Sequence, residues 1–322
     1  MVADRYGRPV TNLRISLTQN CDLDCFYCHR EGQEHSHDEM TPQEILNITR
    51  IATEFGVRKV KLTGGEPLTR KDIDEIIRLL AGLPSIMENS LVTNARQLTL
   101  EKALQLKRSG LNRVNINLPS TNRETYKKIV GREIDQAIAG VKSAAEAGLK
   151  PIKINMVLLR GLNSDEIQPM MRFAEDVGAI LQLIELEPVK KGEEFYQQYH
   201  YPLDDLEREI SSKASHVRVR HSMQNRKVYT LGDLDVEIVR PVENTEFCMN
   251  CTKLRLTSDG KLKPCLMVHD NLLDILTPLR RGENPEVLRR IFTEAINLRK
   301  PYYSTAGPNP AGRSQKGETP KV

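Results

Sequence analysis

Between residues 12 and 187 short apolar runs alternate with longer stretches whose apolar positions recur at helical spacing. The short runs at 13–17, 59–62, 90–93, 113–118, 152–158 and 180–186 read as strands. Thr41-Pro42-Gln43-Glu44 has the form of a capping box with proline at the first helical position. Ile45, Ile48, Ala52 and Phe55 then keep one helical face until Gly56. Thr99 and Ser164 are expected to open later helices, and Gly110, Gly148 and Gly178 to close them. The result is six β–α units and a parallel sheet, although periodicity alone does not separate an open doubly wound sheet from a barrel.

The alternation fades after Pro188, where Val217-Arg-Val-Arg and Val236-Glu-Ile-Val read as strands of a smaller region. Three units are expected: an α/β unit over 1–187, a C-terminal region over 188–303, and a disordered tail over 304–322, rich in Gly, Pro, Ser, Lys and Thr. The chain starts Met-Val-Ala-Asp-Arg without an apolar signal segment, and nowhere runs through the 18 or so apolar residues of a membrane span. A reducing cytoplasm is the expectation. A net charge of +4 with no tryptophan and no basic stripe interleaved with aromatics gives no support for nucleic-acid binding.

The six cysteines form two triplets, Cys21, Cys25 and Cys28 near the start and Cys248, Cys251 and Cys265 near the end. Thiolates select zinc or iron–sulfur clusters, and a structural zinc site closes with four protein ligands. Each triplet is one ligand short, which suggests two metal centres with an open position. Disulfides fit a reducing compartment poorly. Zinc completed by His29 or His269 stays open, though Cys-x3-Cys-x2-Cys is not a usual zinc-finger spacing. Gly64-Gly65-Glu66-Pro67 follows the strand at 59–62 and marks a close backbone approach, with Glu66 able to accept from an ammonium group. His35-Ser-His37-Asp38 reads as a polar loop, and Met170 and Met171 as helix packing.

Cys21-Asp-Leu-Asp-Cys25-Phe-Tyr-Cys28 together with Gly64-Gly65-Glu66-Pro67 resembles the CxxxCxxC and GGEP motifs of the radical S-adenosylmethionine (SAM) superfamily. The resemblance implies a partial (β/α)6 barrel with its chemistry at the carboxyl ends of the strands. It also implies a [4Fe–4S] cluster on Cys21, Cys25 and Cys28 whose fourth iron chelates SAM, with Tyr27, Gly65, Glu66, Asn117 and Glu187 around that cofactor.

Cys248-Met-Asn-Cys251-Thr-Lys253-Leu-Arg255, followed by a Ser-Asp-Gly turn and Cys265, resembles the C-terminal signature of the GTP 3′,8-cyclase family of molybdenum cofactor biosynthesis. That resemblance implies a second [4Fe–4S] cluster on Cys248, Cys251 and Cys265 and a GTP site made by Arg14, Lys61, Thr93, Lys153, Lys253 and Arg255. The implied reaction converts GTP to (8S)-3′,8-cyclo-7,8-dihydroguanosine 5′-triphosphate, with no catalytic side chain beyond cluster and cofactor. A flavodoxin- or ferredoxin-type electron donor and a downstream cyclic pyranopterin monophosphate synthase are the implied partners. The oligomeric state stays open, a homodimer being one option.

The chain departs from the family pattern at several places. Lys253 stands for an arginine, Asn117 for a serine, Glu187 for a methionine and Gln182 for an arginine, and the tail ends Thr319-Pro-Lys-Val322 in place of Gly-Gly. Rival readings are a radical enzyme acting on peptides or tetrapyrroles with auxiliary clusters, and a non-catalytic zinc protein.

Overall fold

The computed structural model describes residues 2–34, 36, 38–189, 192–304 and 307–308. His35 and His37 of the polar loop and nearly all of the expected tail lie outside the described residues.

Six strands, β1 (Asn12–Ser16), β2 (Lys59–Thr63), β3 (Glu88–Thr93), β4 (Arg113–Asn117), β5 (Lys153–Leu158) and β6 (Ile180–Glu185), fall within two residues of their expected positions. They pair in parallel in chain order, with none of the reversal of a doubly wound sheet. Helices α1 (Pro42–Glu54), α2 (Ile73–Ala81) and α3 (Leu100–Arg108) connect the first four strands. Thr41 and Glu44 form the expected reciprocal cap on α1, and Thr99 caps α3.

Two places differ from expectation. The β4-to-β5 connection holds two helices, α4 (Arg123–Val130) and α5 (Asp135–Glu146), because Asn122 caps the first and left-handed Gly131 ends it early. Ser164 opens only a 3-10 turn, and α6 (Ile167–Asp176) starts without a side-chain cap. Asn163, which precedes that turn, is spent on the loop instead, its Nδ2 donating to the carbonyls of Pro119 (2.7 Å) and Val157 (2.9 Å).

Beyond β6 come α7 (Glu193–Tyr199) and α8 (Asp204–Lys213), then β7 (His216–Arg220), β8 (Arg226–Leu231) and β9 (Leu234–Val239). Both alternating segments seen after Pro188 are therefore strands. After α9 (Thr245–Met249) follow β10 (Lys253–Leu256), β11 (Lys261–Lys263), β12 (Leu273–Asp274), α10 (Leu276–Arg280) and α11 (Pro285–Asn297). β9 adds in parallel to β6 and β10 in parallel to β1, while β7, β8, β11 and β12 add antiparallel, so the twelve-stranded sheet is mixed.

The two faces of this sheet have opposite character. Leu13, Ile15, Val60, Leu62, Val114, Ile116, Ile154, Leu181 and Leu254 are fully buried and belong to one apolar core. The residues that alternate with them include Arg14, Lys61, Asn115, Asn155, Gln182 and Arg255, and these line a cavity. Parallel sheets usually bury apolar side chains on both faces. Here the side away from the core mixes these polar and charged side chains with Val92, Val157, Ile184 and Val239, and residues from β1, β2, β3, β4, β5, β6, β9 and β10 surround one space.

A candidate active site between two cysteine triads

That cavity measures about 300 Å³, and Cys28 lines it together with Cys248, Cys251 and Cys265. The first triad reaches this chamber through Cys28, the second through all three of its thiols.

The first triad lies on the loop after β1, and backbone contacts hold this loop down. Asp24 and Phe26 N–H donate to the carbonyls of Val130 and Ile129 at the end of α4, each at 3.3 Å. Asn94 Nδ2 and Arg96 Nε donate to the two carboxylate oxygens of Asp22 at 2.7 and 3.2 Å. The Gly64-Gly65 turn braces the loop from below: Gly65 N–H donates to Thr18 O and Glu66 N–H to Asn20 O, both at 2.7 Å. A Cβ on Gly65 would stand 2.2 Å from Asn20 O. The close approach expected of this turn is thus to the loop that carries Cys21. Burial pushes the Cys21 thiol up to about 11, and burial with the neighbouring Cys28 and Cys21 thiols pushes Cys25 higher still. Thiols raised in this way lose their protons readily only where a bound cation stabilises the thiolate.

Glu66 sits just behind the turn and is 1% exposed. Thr93 Oγ1 donates to it at 2.6 Å, and the N–H groups of Asn94 and Leu68 at 2.7 and 3.1 Å. Burial outweighs these bonds and raises its carboxyl to about 7. Thr93 is accordingly turned toward Glu66.

A row of cations crosses the cavity. Arg14 on β1 is the register partner of both Lys61 on β2 and Arg255 on β10, so all three side chains leave the sheet on one face. Lys61 Nζ donates to Asn115 Oδ1 at 3.2 Å and Lys253 Nζ to Gln224 Oε1 at 2.8 Å. Burial, then the surrounding arginines, holds both ammonium groups well below the usual lysine range. Asn115 Nδ2 also donates to Gln182 Oε1 at 2.9 Å, which places Gln182 in the wall. Lys153 is ion-paired with the fully buried carboxylate of Glu237, which Arg220 also contacts at 2.9 Å. It is not among the residues lining the cavity.

At the second triad, burial and neighbouring thiols raise Cys248, and burial raises Cys265 to about 11. Cys251 differs: burial pushes it up, but Lys253, Arg299 and Arg8 outweigh that and lower it. Arg8 Nη1 donates to the Cys248 carbonyl at 2.8 Å, and Arg299 bonds the Cys251 carbonyl. Tyr27, Gly65, Asn117 and Glu187 all line the chamber, with Asn117 accepting from Asn155 at 3.0 Å and Glu187 lying 3.9 Å from His29.

The sequence reading overlooked Glu31, Gln224, Arg226, Arg8 and Arg299, all of which line the same chamber. Glu31 follows Cys28 so closely that the motif could have pointed to it. Arg8 and Arg299 meet across almost the whole chain, and no local pattern marks them.

The Radical SAM superfamily pattern matches residues 15–174, and the Molybdenum Cofactor Synthesis C pattern matches 179–305. A probable GTP 3′,8-cyclase from Pyrococcus horikoshii is 50% identical over 311 residues, spanning 95% of this chain and 99% of the relative. The chain belongs to the GTP 3′,8-cyclase family. Another family member, a probable GTP 3′,8-cyclase from Methanocaldococcus jannaschii, is 48% identical over 303 residues, 93% of this chain and 98% of its own. Among solved structures, Streptococcus suis SuiB bound to S-adenosylmethionine superposes with a TM-score of 0.64 at 20% identity, covering 84% of this chain and 65% of SuiB. Native anSMEcpe with bound AdoMet gives a TM-score of 0.57 at 16% identity over 81% of this chain and 76% of its own. These two likenesses show the α/β fold alone.

Proposed function

We propose that this protein is a radical SAM enzyme that converts GTP to (8S)-3′,8-cyclo-7,8-dihydroguanosine 5′-triphosphate, the first step of molybdenum cofactor biosynthesis. The observation that carries this reading is one chamber lined by Cys28 of the first triad, by all three thiols of the second, and by the half-buried cations Arg14, Lys61, Lys253 and Arg255. The donor chemistry suits the groups it would hold: each triad offers three soft ligands, and two such sets leave an open position on each of two [4Fe–4S] clusters.

In this reading Cys21, Cys25 and Cys28 hold the first cluster and Cys248, Cys251 and Cys265 the second. When bound, the first cluster and SAM supply a carbon radical that can take hydrogen from the ribose 3′ carbon. Tyr27, Gly65, Asn117 and Glu187 would border SAM, and Glu66, tied to Thr93 and Asn94, would hold the loop behind it. Arg14, Lys61, Lys253 and Arg255 would grip the triphosphate, Arg being suited to bidentate contacts. Lys153 and Thr93 would act from behind this row, through Glu237 and Glu66.

The unreversed strand order supports a partial (β/α)6 barrel built by residues 1–187, with 188–303 completing the chamber and carrying the second cluster. A flavodoxin- or ferredoxin-type protein would supply electrons, and a cyclic pyranopterin monophosphate synthase would take the product. Among the described residues no helix is long and apolar enough to cross a membrane. A cytoplasmic setting fits the free thiols.

The test is anaerobic reconstitution with iron and sulfide, then incubation with SAM, dithionite and GTP. About eight irons per chain and 5′-deoxyadenosine whose formation depends on GTP are expected. Cleavage of SAM indifferent to GTP would instead favour an enzyme acting on another substrate. Arg255→Ala should raise the Kd for GTP about ten- to hundredfold, the loss of one charge-assisted contact, while SAM binding stays within about twofold of wild type. Equilibrium dialysis of both ligands reads this directly, and a parallel loss of both would refute the placement of Arg255 at the triphosphate.

A further inference from the structure

Glu31 sits three residues past Cys28 on the loop that closes the first triad. It is 7% exposed, yet it carries a full negative charge: burial pushes its carboxyl up, and Arg14 and Arg255 outweigh that and hold it far below the usual range. Its Oε2 accepts from Arg14 Nε at 2.9 Å and from Arg255 Nη1 at 2.8 Å, and Oε1 accepts from Thr63 Oγ1 at 3.1 Å. The backbone is unusual as well. Arg30 and Glu31 both adopt left-handed conformations, with φ of 47° and 53°, which non-glycine residues adopt only where the surroundings demand it. Here the demand is to turn one carboxylate back into the chamber.

Arg14 and Arg255 stand directly opposite each other on the neighbouring parallel strands β1 and β10. Like charges so placed repel and would splay apart. A single carboxylate between the two guanidiniums fixes both: it takes Nε and Nη2 of Arg14 and Nη1 of Arg255, and leaves the Nη1 group of Arg14 and the Nε and Nη2 groups of Arg255 to an incoming anion.

We propose that Glu31 is the positioning residue that holds Arg14 and Arg255 ready for the triphosphate of the nucleotide. The inference rests on reading the chamber as a GTP site and adds to it the group that preorganises the phosphate contacts. Glu31 touches neither the nucleotide base nor the reacting carbon in this scheme. Its influence travels through the two arginines, so it should scale with the number of phosphates on the ligand.

The experiment compares reconstituted wild-type enzyme with Glu31→Gln and Glu31→Asp, using equilibrium dialysis of GTP and of guanosine. Glu31→Gln should weaken GTP binding at least tenfold and change guanosine binding less than twofold, and Glu31→Asp should recover part of the loss. Iron content and SAM binding should stay at wild-type values, which reports that the loop still folds. Tighter GTP binding by Glu31→Gln would mean the carboxylate merely competes with phosphate, and would overturn the proposal. Equal loss for GTP and guanosine, or loss of iron, would also overturn it, since the role would then be structural support of the loop. Wild-type enzyme that binds GTP no better than guanosine would instead remove the triphosphate site itself, a failure distinguishable because it precedes any substitution.

Discussion

Replacing Cys25 with alanine is expected to leave a folded protein that takes up about half the iron of wild type, about four atoms per chain against about eight, and forms less than about a thousandth of the 5′-deoxyadenosine. The physical reason lies in the first triad. Cys25 is the most deeply set of its three thiols, and burial together with the Cys28 and Cys21 charges makes its thiolate costly without a cation beside it. Removing it leaves only the two exposed cysteines, Cys21 and Cys28, too few to keep a cubane that must also present an open iron. The rest of the loop is held by Asp22, Asp24 and Phe26 contacts that do not involve the thiol, so the fold should persist. An iron assay, circular dichroism and chromatographic detection of 5′-deoxyadenosine make the measurement. Retained 5′-deoxyadenosine formation would sink the assignment of this triad to SAM cleavage.

A comparably large effect is expected from Gly65→Ala, although only one methyl group is added. The new carbon would stand 2.2 Å from Asn20 O and 2.6 Å from Asn20 C, both backbone atoms with no rotamer to change. Relief requires the loop leading into Cys21 to lift off the turn, which breaks the Gly65–Thr18 and Glu66–Asn20 hydrogen bonds. Overpacking costs about 1–3 kcal/mol and each lost buried bond about 1 kcal/mol, so a local penalty of about 3–5 kcal/mol falls on the loop. SAM affinity should drop at least about a hundredfold, since each 1.4 kcal/mol is a factor of ten. Iron on the second triad should be unchanged. Titration of SAM against the reconstituted variant decides this, and wild-type affinity would mean that the turn yields without moving the loop.

Much of this architecture was legible because local chemistry dictated it. The period of two in β1, β2 and β4 placed Leu13, Val60 and Val114 in the core, and the capping box at Thr41 fixed the start of α1. The same alternation also held a signal that was left unused: the positions between the core residues are polar or charged, Arg14, Lys61 and Asn115 among them, which reads as a surface although these side chains line the chamber. The cysteine triads stood out by spacing alone. Their meeting in one chamber did not, since 220 residues of sequence separate Cys28 from Cys248 and no short-range rule spans them.

The misplaced start at Ser164 shows the limit of local rules. A serine followed by acidic residues looks like a helix cap, but the Ser164 hydroxyl turns to its neighbour Asp165, donating to Oδ1 at 3.4 Å, and caps no helical N–H. Lys153 teaches the same lesson on the chemical side. Its neighbours in sequence give no hint of Glu237, which reaches it from a strand two positions away in the sheet.

The pairing of β9 with β6 and of β10 with β1 has a consequence for how the protein is made. As the chain leaves the ribosome, the six-strand array can assemble while both of its flanks still expose unpaired N–H and C=O groups, a template for joining another molecule. Those flanks are capped only once β9 and then β10 have been synthesised. A nascent chain that stops after Glu185 and before Leu234 carries two adhesive edges, so premature termination there yields a product prone to clump.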